Sequence, residues 1–460
     1  MVTTEQSAPE ALDDFEGLLR TAQVVDPAAK PTPDEDRAAR IDPETRRTRR
    51  RRGLLATAIV VLLVLAGGGG YTGWALTAPV AEPVAASRVP EVASPPPADI
   101  ALPPEGASAI AISGADEYLG PTGGGIWATT GTDDPRPIAS ISKLIAALVV
   151  LDAHPLADAA DPGPTLTFDR ADHALYDKYY VMGATIAAMP IGSSMSLRDA
   201  IAAMLIPSAC NYAEAVAGWA FGSQGAFLRA ARGWLAANGL TQTTIVEPTG
   251  IDPRNTSTPS DMIALGRIAA AHPVIAAIAA TPGQTIPGAG WVNNTNSLLG
   301  QSGITGLKTG TLDPGGSNLL YTATLDVGAA QPLDIVGVLL GANSRAGVNH
   351  SVPTLLQSIA GGFTDVAVAR RGQEVGSFST PWESTARMVL GEEASLLVWS
   401  DTPIVATMET TTPVSWQDGE VIGSATWTAG PHTVTVPVEL DGTITPPTSW
   451  WRLTNPGELG

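Results

Sequence analysis

Apolar positions fall into distinct regimes along the chain. Residues 1–52 contain no long apolar run. Gly53 to Thr77 then passes without a charge, with a dense apolar centre from Leu54 to Ala66. Twenty-five such residues, rising 1.5 Å each as a helix, span a hydrocarbon layer of about 30 Å. Residues 78–106 are rich in Pro, Ala and Glu and lack any period. From 107 to 362, periods of two and of 3.6 alternate. The pattern predicts strands over Ala109–Ser113, Gly125–Thr130, Leu319–Leu325 and Leu333–Leu340. It predicts helices over Ser140–Leu151, Leu197–Ile206, Tyr212–Trp219, Gly225–Asn238 and Pro259–Ala271. In the first of these, Ile141, Leu144, Ile145, Leu148 and Val149 share a face. After 363 the pattern turns to β segments at Leu396–Trp399, Ile404–Met408, Val421–Trp427 and Thr433–Leu440. Asp418-Gly419 and Asp441-Gly442 supply turns between them. Mixed strands and helices followed by a strand-only stretch predict an α+β domain with a small all-β domain behind it.

Composition narrows the reading. The 460 residues carry a net charge of −19, which argues against nucleic acid as a partner, because phosphate binding requires a basic face. Ten basic and eleven acidic residues crowd the first 52 with five prolines, a composition expected of a disordered tail. Leu12, Phe15, Leu18 and Leu19 have the spacing of a short helix within it. Six arginines (Arg46, Arg47, Arg49, Arg50, Arg51 and Arg52) precede the apolar run, and Tyr71 and Trp74 sit near its far end. Cytoplasmic arginines and an interfacial aromatic pair predict a single-pass anchor with everything after it outside the cytoplasm. A cleaved export signal is the alternative, including a twin-arginine type at Arg51-Arg52-Gly53-Leu54-Leu55. Residues 78–106, with Pro95-Pro96-Pro97 and Pro103-Pro104, read as a semi-extended spacer. The single cysteine, Cys210, permits no internal disulfide. The five histidines show no zinc spacing, so neither metal nor other cofactor is expected.

Only four of the 26 basic residues are lysines: Lys30, Lys143, Lys178 and Lys308. Two of them occupy motifs with chemical content. Ser140 and Lys143 stand three apart at a predicted helix start, hence on one face. A lysine whose charge is penalised by burial can take the serine proton and leave a nucleophile, which arginine cannot do. Lys308-Thr309-Gly310-Thr311 stands before a Gly-rich turn. It offers a cation and a hydroxyl to a carboxylate, a glycine for close backbone approach, and an N–H for an oxyanion hole. A third element, Pro207-Ser208-Ala209-Cys210-Asn211, follows an apolar helix and supplies a hydroxyl able to relay a proton.

These three elements together resemble the signature of the serine D-Ala-D-Ala carboxypeptidases, the low-molecular-mass penicillin-binding proteins. The resemblance extends to Arg136-Pro137-Ile138-Ala139, Ala174-Leu175-Tyr176 and Glu247-Pro248-Thr249-Gly250-Ile251. It also takes in Asn294-Thr295-Asn296 with Leu298-Leu299, and the stretch 303–318. It implies an antiparallel sheet flanked by helices with an all-helical lobe, and a β-rich domain after it. It implies Ser140 as acylated nucleophile, Lys143 as its base and Ser208 as second-motif hydroxyl. Lys308 and Thr309 would bind a carboxylate, and the N–H groups of Ser140 and Thr311 an oxyanion. The substrate implied is a peptidoglycan stem peptide, with β-lactams as covalent inhibitors. Cys210 stands where the family usually has Asn, and Asn211, one residue on, is rotated by roughly 100°; both are expected as substrate contacts, with Gly310 and Thr311 of the third motif. Arg345 is a further candidate for carboxylate binding. Many relatives anchor through a C-terminal amphipathic helix, and none is expected at Asn455-Pro456-Gly457. Two other readings remain open, a catalytically attenuated wall-binding scaffold and a β-lactamase. Oligomeric state is not readable.

Overall fold

The computed structural model describes residues 43–120 and 125–460. Of the tail expected over residues 1–52, the first 42, with the helical spacing at Leu12–Leu19, lie outside the described residues; residues 43–52 are not irregular but form the start of a helix. The chain divides into two compact units, one formed by residues 1–80 with 449–460 and the other by 81–448.

In the first unit a single helix runs from Pro43 to Thr77, and its Arg47–Thr77 part is long and apolar enough to cross a membrane. A short helix, Ser449–Thr454, lies against its last turns. Arg452 Nη1 donates to the carbonyl of Ala78 at 2.7 Å, and Tyr71 Oη to that of Leu453 at 2.6 Å. Val80 bridges to Leu459 in antiparallel fashion. Carbonyls at a helix end lack partners within the helix, and here a guanidinium supplies one. The sequence reading placed no helix in this last segment, because six residues are too few to show a period.

The second unit centres on a five-stranded antiparallel sheet. Its order is Ile304–Leu312, Gly316–Leu325, Leu333–Ala342, Ala107–Ser113 and Ala128–Thr130. Both faces are covered. Leu320, Val338 and Leu340 pack under the helix Pro259–Ala271, in a core that continues into the helices Ser142–Ala153, Leu197–Leu205 and Cys210–Phe221. Leu319, Tyr321 and Leu339 face Val352, Leu355 and Ile359 of the helix Arg345–Gly361. Burial on both sides explains why these strands read as nearly continuous apolar runs. Predicted helices form within one or two residues of their expected ends.

Among the described residues of this unit, the short helices Asp116–Leu119 and Pro273–Ala279 and two longer ones escaped the periodicity. Arg170–Val181 buries only Tyr179 and is set by a capping box between Asp169 and Asp172. Arg345–Gly361 contains Pro353, a residue that reads as a breaker.

The strand-rich remainder builds a six-stranded sheet in the order Val84–Ser87, Glu374–Ser379, Thr385–Leu390, His432–Asp441, Val421–Ala429 and Val405–Thr410. Trp427 is wholly buried in its core. The first of these strands belongs to the segment read as a spacer, and that reading needs correction. Val84–Ser87 pairs with Gly376–Ser379, and the carbonyl of Pro90 accepts from Trp427 Nε1 at 3.2 Å. Ser94, Ala98 and Ala101 are hydrogen-bonded to Ile404, Ser400 and Ser358. A Pro-rich backbone is extended whether free or laid along a sheet, so composition alone does not separate the two.

Candidate active site

The site begins with a strained turn. Arg136–Pro137 pairs with Thr256–Ser257, and Ile138 N donates to Asn255 O at 3.0 Å. Ala139 then adopts φ +48°, and a 3-10 turn over Ala139–Ile141 leads into the α-helix Ser142–Ala153. Ser140 therefore lies in the entry turn, two residues before the α-helix that the pattern had started at it. The turn is held from three directions. Ser142 Oγ donates to Ala139 O at 2.8 Å and accepts from Asn255 Nδ2 at 3.0 Å. A Cβ at Gly310 would fall 2.7 Å from Ile138 O, and one at Gly250 only 1.9 Å from Ala139 O. Two glycines from distant segments thus close on the residue before Ser140, and no larger side chain fits at either.

Lys143 follows one turn later and is fully buried. Its Nζ donates to Ser140 Oγ at 2.9 Å and to the Thr249 carbonyl at 2.6 Å. Burial pushes its proton affinity below the ordinary lysine range, opposed by the neighbouring Cys210 side chain and by the Glu247 carboxylate. A buried amine held at a serine hydroxyl is the geometry of a base and its nucleophile.

The second motif comes from the turn between the helices Leu197–Leu205 and Cys210–Phe221. Ser208 is buried with φ +65°, and the buried Cys210 opens the second helix near enough to Lys143 to favour its charged form. Asn211 does not join them. Its Oδ1 accepts from Ala187 N at 3.2 Å and its Nδ2 donates to Ala187 O at 2.9 Å, so its reading as a substrate contact is corrected. The rotation of one helical residue turns the amide away and makes it a clamp on the 185–188 segment, which Cys210 N and Tyr212 Oη also hold.

The opposite wall is the strand Ile304–Leu312. Lys308 is buried, with Nζ 3.1 Å from Thr309 O and 3.5 Å from Thr295 Oγ1. Thr309 and Thr295 share a hydroxyl hydrogen bond of 2.7 Å. Burial drives Lys308 well below the ordinary lysine range, and the cations of Lys143 and Arg345 push the same way. Arg345, exposed at the start of its helix, donates to Thr295 O at 2.5 Å. Gly310 and Thr311 pair with Asn318 and Ser317, and the Asn318 amide spans Pro137 O and Gly341 N.

The motif residues Ser140, Lys143, Cys210 and Lys308 therefore converge. Sequence reasoning assigned no role to Thr249, Gly250, Asn255 and Thr295, which complete the shell. For Thr249, Gly250 and Thr295 the signal lies in the stretches 247–251 and 294–296, which carry the resemblance without a task for each residue; Asn255 lies outside both.

Residues 119–343 match the sequence model of a family described as D-alanyl-D-alanine carboxypeptidase. Among solved structures, penicillin binding protein 6B from Escherichia coli is similar over 76% of this chain and 98% of its own, with a TM-score of 0.51 and 22% identity. The D-alanyl-D-alanine carboxypeptidase DacD from Francisella tularensis is similar over 77% and 97%, with a TM-score of 0.50 and 17% identity. Identity at this level speaks for the fold, and both coverages reach beyond the family-matched segment. No curated protein matches the chain.

Proposed function

Because this chain belongs to the D-alanyl-D-alanine carboxypeptidase family of serine peptidases, we propose that it removes the terminal D-alanine from peptidoglycan stem pentapeptides. In this reading Ser140 Oγ attacks the carbonyl between the two D-alanines while Lys143 takes its proton. The N–H groups of Ser140 and Thr311 receive the developing oxyanion. The proton passes through Ser208 to the departing amine, D-alanine leaves, and water releases the acyl group from Ser140. Lys308 and Thr309, with Arg345 beyond Thr295, receive the substrate's terminal carboxylate. β-Lactams would acylate the same serine and remain attached.

The observation that carries this reading is Lys143 Nζ, buried and 2.9 Å from Ser140 Oγ. The apolar helix serves as a membrane anchor, with the six arginines inside and residues 81–448 outside. The proposed organisation is a tail over 1–52, the anchor over 53–77, a catalytic domain over 107–362 and a β-rich domain over 363–460. Purified full-length chain in detergent, incubated with a stem pentapeptide, is expected to release free D-alanine. Intact peptide after prolonged incubation would overturn the assignment. Cys210 on Lys143 favours a second reading, a wall-binding scaffold of reduced turnover. Under that reading penicillin still labels Ser140 while D-alanine release is negligible.

A further inference from the structure

One carboxylate beside the site has no part in the reaction as described. Glu247 opens the turn that faces the Ser140–Lys143 pair, and five donors converge on it. Its Oε2 accepts from Thr249 N and Thr249 Oγ1, both at 2.6 Å. Its Oε1 accepts from Gly250 N at 2.7 Å, Asn255 Nδ2 at 3.0 Å and Asp252 N at 3.3 Å. The backbone is thereby wound around a single side chain.

Both outputs of that winding meet the catalytic pair. The Thr249 carbonyl is turned outward to receive Lys143 Nζ, while Gly250, at φ +83°, is pressed against the Ala139 carbonyl next to Ser140. Asn255, held by the same carboxylate, donates to Ser142 Oγ and presents its carbonyl to Ile138 N. One side chain thus touches, through one intermediary each, the base, the turn carrying the nucleophile and the start of its helix.

We infer that Glu247 is the positioning residue of the Ser140–Lys143 pair, fixing the lysine through the Thr249 carbonyl and the serine turn through Gly250 and Asn255. This rests on the reading of Lys143 as the base. The role has two separable parts. The hydrogen bonds set geometry, and therefore the limiting rate of acylation. The negative charge favours a proton on Lys143 and so sets the pH at which that rate is reached. The other groups facing Lys143 are the Cys210 thiol from the Cys210–Phe221 helix and Lys308 from the sheet. Tyr179, whose hydroxyl donates to Glu214, flanks the same turn.

The test is the rate of labelling by a fluorescent penicillin, measured across pH on the full-length chain in detergent. Wild type is expected to label with a rate that rises with pH to a plateau. Glu247→Gln keeps the size of the side chain but removes its charge and turns one acceptor into a donor facing donors. Its plateau should fall about 10- to 100-fold, as for a misplaced catalytic group, and its midpoint should move down by up to about one pH unit. Glu247→Asp keeps the charge on a shorter arm, so its plateau should fall while its midpoint stays at the wild-type pH. A Gln variant with unchanged plateau and midpoint overturns the inference, as does a lowered plateau with an unmoved midpoint, which marks a merely structural residue. Should the Gln variant fail to fold, an Asp variant that labels at the full wild-type rate overturns it instead. Failure of wild type to label, or labelling that persists in Lys143→Arg, overturns the underlying reading and is seen before any Glu247 variant is made.

Discussion

The two walls of the cleft each bury a lysine, and the two lysines are treated in opposite ways. On the wall built by the Ser142–Ala153 helix, Lys143 has two close acceptors, the Ser140 hydroxyl and the Thr249 carbonyl, with Cys210 and the Glu247 charge nearby favouring its proton. On the sheet wall, Lys308 meets one carbonyl and one hydroxyl at longer distances, and the nearby charges, Lys143 and Arg345, are cations. Burial penalises both charges. At Lys143 the neighbours oppose that penalty, while at Lys308 two cations add to it and only Cys210 opposes it. A side chain so compensated can exchange a proton without leaving its place, as a base must. A side chain left under-compensated is an unmet demand for negative charge, which an incoming carboxylate answers. The fold therefore carries the heavier electrostatic penalty on the sheet wall, where a ligand relieves it.

The sharpest way to break this comparison is to remove the acceptor wall's chemistry. Ser140→Ala and Lys143→Arg should each abolish penicillin labelling, a loss of about 10³-fold or more, because no other hydroxyl or unprotonated amine replaces them. Labelling that survives either change, followed by gel fluorescence, breaks the assignment of that wall.

The sheet wall should respond differently. Lys308→Met should lower kcat/KM for the pentapeptide about 10- to 150-fold, the worth of one or two charge-assisted hydrogen bonds. It should also raise Tm. Because the folded state holds the Lys308 proton less tightly than the unfolded chain does, protonation favours unfolding below the ordinary lysine pKa of about 10.4. Stability in wild type should therefore rise with pH as that value is approached from below. Methionine removes the penalty at neutral pH, and each 1 kcal/mol regained is worth about 2–4 °C in a domain of this size. A lower Tm for Lys308→Met, measured by calorimetry at pH 7, would contradict the under-compensated wall.

The smallest effect is at the contact between the walls. Cys210→Asn exchanges a thiol for an amide that hydrogen-bonds more strongly, so acylation should rise roughly 2- to 12-fold, the range of one neutral hydrogen bond. Alkylation of the wild-type thiol should slow labelling. Equal rates for Cys210 and Asn chains would show that this residue merely packs.

What the sequence disclosed follows physical lines. The sheet strands and the helices over them were legible because long apolar periods report burial directly, as at Leu319–Leu325 and Pro259–Ala271. Ser140, Lys143 and Lys308 were legible because lysine is scarce in this chain and chemistry restricts which residue types serve. The turn 247–255 was legible only as a resemblance over 247–251, without roles, because its contacts to Lys143 and Ile138 are made by main-chain carbonyls that any sequence possesses. The direction of Asn211 follows from helical phase once Cys210 is placed against Lys143. The true course of residues 84–101 depends on long-range pairing, which local composition does not encode.

That last segment has a practical corollary for anyone trimming the chain. Composition invites a soluble version starting near residue 105, past the prolines. Such a cut would strip Val84–Ser87 from Glu374–Ser379, leaving the latter as a bare sheet edge with unpaired amides and carbonyls. It would also deprive the buried Trp427 indole of its acceptor at Pro90. A fragment starting at residue 81 should stay monomeric at concentrations where one starting at 105 self-associates through that edge. The stretch resembling a leash is, in assembly terms, the hem that keeps the sheet from unravelling onto its neighbours.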